Sequence, residues 1–284
     1  MSGGVFGNAC HAASQSVNTQ TMNLDIRSHE RWFANYAAQE RAKEREDPAP
    51  LDLKFTHTHN VLANARHIVS SENFTQARAC LLAALYHDVA RFEQYLRYRT
   101  FRDRVSCDHG LLGIKILKQE RPLNEEHPLV RRLVLAAVGL HNRFRLPSLP
   151  EDLALVTRVV RDADKLDILR VMDEHLSQPG PYSPTVVMSL PDDDTIVSEP
   201  ILQAALEGCV AAYEDLRSVN DFRVLLGTWF TDMNFTGSRQ KFVTDGHARR
   251  ILQALPANAP YAPVKDNLLK QLDEFTAIFC PEAH

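Results

Sequence analysis

Apolar residues in this chain recur three and four positions apart through most of its length, and the alternation that marks a half-buried strand is almost absent. Segments of that kind must bury one stripe each against a neighbour of the same kind, so the pattern predicts helix packed on helix. Ser28 is expected to cap a first helix running to about Glu46 and ended by Pro48 and Pro50, and a second runs from about Asp52 to Ser70. Thr75 caps a third, expected to continue to about Tyr95, and an arginine-rich loop, LRYRTFRDRVSC, fills 96–107. Asp108 caps a helix to about Glu120, another spans about Glu126 to Asn142, and a long one runs from Glu151 to Leu176.

The stretch from Ser177 to Pro200 holds five prolines and the run Asp192, Asp193, Asp194, which predicts an extended excursion or lid. Helical spacing resumes over Ser198–Leu216, Asp221–Met233, Ser238–Leu255 and Val264–Phe279. The fold expected is therefore all-α: a flexible tail over 1–25, a helical core over 26–176, the excursion over 177–200 and a C-terminal helical extension over 201–284.

Thirty-two basic and 36 acidic residues leave a net charge of −4, so no global field draws the chain to nucleic acid or to an anionic membrane. The longest apolar runs, such as LVLAAVGL at 133–140, fall well short of the roughly 20 residues that cross a bilayer. The polar first 20 residues lack a secretory pattern. The cysteines, Cys10, Cys80, Cys107, Cys209 and Cys280, are odd in number and scattered, as expected of reduced thiols in a cytoplasmic protein.

Within this apolar framework lies AALYHDVARFEQY at 83–95, where His87 and Asp88 sit side by side in a run built for burial. A buried carboxylate requires a partner. At about 100° per residue, His109 falls in line with Leu112 and Ile116, His141 with Val134, Ala137 and Val138, and His57 with Val61 and Ile68. Asp164 shares its face with Val160, Ile168 and Val171, and His87 stands over the small residues Ala79, Ala83 and Ala84. Each polar group alone could be a satisfied core residue. Inward His and Asp on successive helices are more economically satisfied by one or two shared cations.

These residues resemble the HD-domain superfamily of metal-dependent phosphohydrolases, whose signature is His, then His-Asp, then a distant Asp on a helical bundle. The matches are His57 in THTHNV, His87 and Asp88 in LYHDVA, and Asp164 in RDADKLDIL, with His109 in CDHGLLG and His141 in GLHNRF similar to the extra histidines of two-metal members. The resemblance covers about residues 55–172. The chain lacks both a GYP tripeptide after its HD and the acidic pair that often follows HD in guanosine tetraphosphate hydrolases.

The resemblance implies that His57, His87, Asp88 and Asp164 hold one ion and that His109, His141 and a bridging Asp88 hold a second. Such mixed imidazole and carboxylate ligation suits Fe, Mn, Zn, Co or Ni better than Mg. Water activated there would attack a phosphoester, with Asp88, Arg91 and Lys165 as the expected catalytic residues and Arg97, Arg99, Arg102 and Arg104 as expected substrate contacts. Asp167 is placed to orient a ligand histidine, Glu93 to donate a proton or pair with an arginine, and Trp229, Asp232 and Asn234 to cover the pocket or pack helices. The expected partner is a small phosphorylated molecule, a nucleotide first, with a homodimer left open. Two other readings share the same ligands: a two-iron oxygenase, and a metal-binding signalling module without catalysis.

Overall fold

The computed structural model describes residues 24–72 and 74–279, so the expected tail lies almost wholly outside the described residues, as do Cys10 and Cys280. Among the described residues there are helices and no strands. No helix among them is long and apolar enough to cross a membrane. Helices α1 (Arg27–Arg41), α2 (Ala49–Ser71), α3 (Ala77–Tyr86), α4 (Arg91–Tyr98), α5 (His109–Glu120) and α6 (Pro128–Leu140) pack around one apolar core. Helix α7 (Glu151–Leu176) follows, and then α8 (Glu199–Leu206), α9 (Val219–Thr228), α10 (Thr236–Thr244), α11 (His247–Gln253) and α12 (Tyr261–Phe279) build a second core.

Helix α7 belongs to both. Its first half, through Val156, Val159, Val160 and Ala163, fills the first core, and its second half, from Leu166 onward, fills the other. Its 26 residues span about 39 Å. Asp164 and Lys165 therefore sit where the two cores meet. Helix α3, buried on every side, lies against α2, α6 and α7, and its alanines Ala79, Ala83 and Ala84 allow that close approach.

Several expected helices are shorter than their apolar pattern. Ser28 caps nothing: the buried Ile26 occupies the cap position, and Asp25 accepts from the Arg27 N–H at 3.0 Å. That helix stops at Arg41 rather than Glu46, because the Glu44 carboxylate turns back to accept from the Glu46 and Asp47 N–H groups at 2.8 and 3.1 Å. Thr75 likewise lies outside α3, and the single helix expected to reach Tyr95 breaks over His87–Ala90. There Val89 N and Arg91 N bond carbonyls three residues back, at Tyr86 and Asp88, before regular turns resume. Asp108 does cap α5, accepting from Leu111 N at 3.1 Å.

The Ser198–Leu216 helix ends at Leu206, followed by Gly208 at φ +70°. The Ser238–Leu255 helix is divided by Gly246 at φ +71°. The Asp221–Met233 helix begins at Val219, under a Ser218/Asp221 capping box, and ends at Thr228 in a tighter turn over Trp229–Asp232. Residues 177–200 lie on the second core rather than reaching away from it. Val187 is buried there, Pro191 O accepts from Val219 N at 3.0 Å, and Tyr182 OH accepts from Arg223 at 3.1 Å.

Candidate metal centre

Glycines bring α5 and α6 together. A Cβ on Gly110 would stand 2.9 Å from Val138 O, and one on Gly113 would stand 3.0 Å from a Val138 methyl. That approach sets His109, at the start of α5, beside His141, just past the end of α6, with their Nε2 atoms 3.0 Å apart. On the other side, α2 carries His57 and the break after α3 carries His87 and Asp88. His57, His87, Asp88, His109 and His141 are all buried, and Asp164 reaches in from α7 along the cleft.

Asp88 joins two halves. Its Oδ2 lies 3.6 Å from both His57 Nε2 and His87 Nε2, while its Oδ1 lies 3.4 Å from His109 Nε2 and 3.8 Å from His141 Nε2. Asp164 Oδ1 closes the first half, 3.0 Å from His57 Nε2 and 3.7 Å from His87 Nε2. The far nitrogen of every ring is taken. His57 Nδ1 meets Asp167 Oδ2 at 2.7 Å, His87 Nδ1 meets Ala84 O at 2.8 Å, His109 Nδ1 meets Asp103 Oδ2 at 2.5 Å, and His141 Nδ1 meets Val138 O at 2.8 Å. Each acceptor holds its ring with the proton on Nδ1, which turns the lone pair of Nε2 inward. His57 Nε2 and His87 Nε2 are buried without any hydrogen-bond partner. Converging lone pairs and carboxylate oxygens suit a divalent transition metal, and four imidazoles disfavour Mg.

Cations of the protein offset part of this charge. Lys54 Nζ lies 2.7 Å from Asp88 Oδ2, and Arg91 Nε lies 3.1 Å from Oδ1. Burial alone would raise the Asp88 carboxyl, but Lys54, Arg91 and His87 hold it well below the usual carboxylate range. Asp164 is likewise held far down, against burial, by the neighbouring imidazoles of His57 and His87. Burial and Arg91 push His109 down to about 4, so it is neutral and able to ligate near neutral pH. His57 moves upward despite burial and Lys54, because Asp164 and Asp167 attract its proton.

The centre meets a cleft of about 960 Å³, lined from both cores, through His109, His141 and Asp164, which form its floor. Arg91, Lys165, Arg102 and Arg104 line it; Arg97 and Arg99 do not. Arg97 pairs with Glu93 one turn earlier, and Arg99 turns away to Glu44. Arg91 also donates to Gln94 Oε1, Phe101 O and Asp103 Oδ1, which fixes the loop after α4. Lys165 pairs with Asp232 and lies 5.6 Å from the centre of the Trp229 ring. Burial lowers its pKa, and Asp232 opposes that shift. Trp229 and Asp232 line the cleft, whereas Asn234 packs helices by donating to buried Asp162 from its N–H and its amide, each at 2.7 Å.

Three residues of the site carried no signal that singled them out. Lys54 lies one turn before His57 on the same helix face, where a lysine ordinarily reads as a solvated edge. Asp103, hidden among arginines in a loop, orients His109 and also accepts from Gln94 and Asn142. Tyr213 lies in a stretch whose spacing reads as helix.

The HD domain family model matches residues 55–169, the span that holds all six converging donors. No curated protein and no solved structure matches the chain.

Proposed function

The chain carries an HD domain over residues 55–169, and from that premise we propose that it is a metal-dependent phosphohydrolase acting on a nucleotide or another small phosphoester. One observation carries the reading: a single carboxylate, Asp88, presents one oxygen to the His57 and His87 pair and the other to the His109 and His141 pair. His57, His87, Asp88 and Asp164 would hold one ion, and Asp88, His109 and His141 a second. Bound there, divalent cations supply Lewis acidity that activates water and offsets the charge of a phosphoryl group.

The remaining work falls to this chain's own groups. Arg91 is pinned at its guanidinium by Asp88, Phe101 O and Asp103, and faces the cleft as a fixed donor for phosphoryl oxygens. Lys165 Nζ, positioned by Asp232, is a second cation lining the same cleft, available to an oxygen of a bound phosphoester. Hydrolysis forms a bond from the water oxygen to phosphorus and breaks the ester P–O bond, whose electron pair leaves on the alcohol oxygen with a proton. Asp103 and Asp167 keep His109 and His57 from rotating, so the centre is preorganised.

The test is metal analysis of the purified protein joined to a screen of mono- and diesters after loading with Fe, Mn, Co or Zn. Stoichiometric metal and release of phosphate or alcohol are expected. Oxygen uptake with a substrate and no phosphoester cleavage, or no cleavage across the whole panel, would overturn the proposal.

A further inference from the structure

Part of the cleft is lined by residues that lie beyond the HD domain. After Leu206, Gly208 reverses the chain, and residues 209–212 run along α9 instead of continuing α8. Cys209 N is tied to Ala204 O at 2.8 Å and Ala211 N to Thr228 Oγ1 at 3.4 Å. Asp221 clamps the other end by accepting from Arg217 N and Ser218 N, both at 3.0 Å. Tyr213 thus sits on a segment fixed on both sides.

Its ring packs on Phe222 and Trp229, at centroid distances of 5.9 and 6.3 Å, yet the residue stays 44% exposed along the cleft. Desolvation within the cleft, with the charge of Asp164, pushes its phenol upward. Phe144, 50% exposed, lines the same cleft from the loop between α6 and α7, with Arg145 over its ring at 5.8 Å. Ile168, Leu190 and Leu216 add apolar lining to the same cleft. Arg102, Arg104 and Arg145, also in the cleft, have no ion pair among the described residues. A cleft with apolar lining, half-open aromatic rings and unpaired guanidinium groups is complementary to a planar ring joined to an anion.

We propose that Tyr213 is a specificity-determining residue: the wall formed by residues 209–217 and 229–232 recognises the base of a phosphorylated nucleoside by stacking, while the HD domain holds its phosphate. The assignment rests on the phosphohydrolase reading for the identity of the phosphate site. Specificity then resides outside the family's domain, and phosphoesters without a ring lose this contact. The hydroxyl is dispensable and the ring is required.

Calorimetric titration of the full chain with each of the four nucleoside 5′-monophosphates and with ribose 5-phosphate tests it directly. At least one nucleotide is expected to bind roughly fivefold or more tightly than ribose 5-phosphate, the size expected of one base on one aromatic ring. Tyr213→Ala is expected to abolish that difference while leaving ribose 5-phosphate binding unchanged, and Tyr213→Phe to retain it, with both variants melting near the parent. If catalysis is measurable, the alanine variant raises KM for the nucleotide and leaves kcat intact. Equal binding of all five ligands by the parent, or a preference that survives Tyr213→Ala, overturns the inference. Because binding is read without turnover, a protein that binds nucleotides through Tyr213 but cleaves no phosphoester would sink the hydrolase reading alone.

Discussion

The Nε2 atoms of His109 and His141 stand 3.0 Å apart, although each ring already gives its Nδ1 proton to an acceptor, Asp103 Oδ2 in one case and Val138 O in the other. Two lone pairs directed at each other repel unless something positive lies near both. Asp88 Oδ1, within 3.8 Å of both nitrogens, adds a third electron-rich atom. The packing of α5 on α6 forces this arrangement, so the fold itself stores a demand for positive charge.

Removing the metal should therefore destabilise the protein. A ligand that binds only the folded state at about 100 times its dissociation constant contributes roughly 3 kcal/mol, or a melting shift of about 5 °C or more for a chain of this size. Calorimetric melting before and after chelation, with metal content verified in each sample, measures the effect. An unchanged melting temperature on complete metal loss would refute the assignment. Asp88→Asn should lower occupancy of both halves, because both share that carboxylate.

The metal-free protein should lose stability as pH falls from about 6.5 to about 4, the interval between the ordinary value of His109 and its value in the fold. In that window the unfolded chain binds a proton at this histidine and the folded chain does not, so acidification favours unfolding by an amount of the order of 3 kcal/mol. His57 acts in the opposite sense. Its raised value gives stability that is complete below the ordinary 6.5 and is lost as pH rises through the folded value. Melting curves of chelated protein across the lower window should slope upward with pH, and His109→Gln should flatten that slope. A parent profile already flat there would contradict the burial argument.

How much of this was legible in the sequence depended on where each residue lies. The all-helical architecture and the inward facing of His57, His109, His141 and Asp164 follow from helical spacing, which also makes a shared cation the economical partner for His87 and Asp88, while the ordered set of six as one ligand group rests on the resemblance to the HD-domain pattern. The expected link from Asp167 to a ligand histidine is present at His57 Nδ1. Periodicity fails where single residues end helices. Gly208 stops α8 although the apolar pattern continues, and the released segment carries Tyr213 to the cleft. The same blindness applies to the arginine-rich loop, where Arg99 leaves the site for Glu44 while Asp103 enters it. Long-range pairing selects among loop charges, and local sequence does not encode that choice.

Gly110→Ala should be costlier than Gly139→Ala. The methyl on residue 110 meets the Val138 carbonyl at 2.9 Å, which is backbone, whereas that on residue 139 meets the flexible end of Ile114 at 2.4 Å. Relief at 110 requires α5 to move off α6 and takes His109 away from His141, at a cost of about 1–3 kcal/mol. A rotamer change at Ile114 relieves the other. Thermal melting together with metal content separates the two variants: the first should lose both stability and metal, the second mainly a little stability. Equal effects would mean that the two helices are not held at their contact limit.

Asp103→Asn offers the sharpest test of the two-half centre. Asp103 Oδ2 receives the His109 Nδ1 proton at 2.5 Å and also accepts from Asn142 at 3.1 Å, while its Oδ1 accepts from Arg91 and Gln94. An amide in its place keeps the volume but loses the charge, and if its NH₂ faces His109 the ring is free to turn. Losing a partner of this kind lowers metal affinity roughly 10- to 100-fold. His57, held by Asp167 on the other side of Asp88, is untouched. The variant should therefore keep metal at the His57, His87, Asp88 and Asp164 half and lose it at the His109 and His141 half, so that the ion count per chain falls by one under equal dialysis. Elemental analysis reads this without any activity assay. Loss of all metal would show that the halves do not bind independently, and full retention would show that Asp103 serves only to anchor the loop.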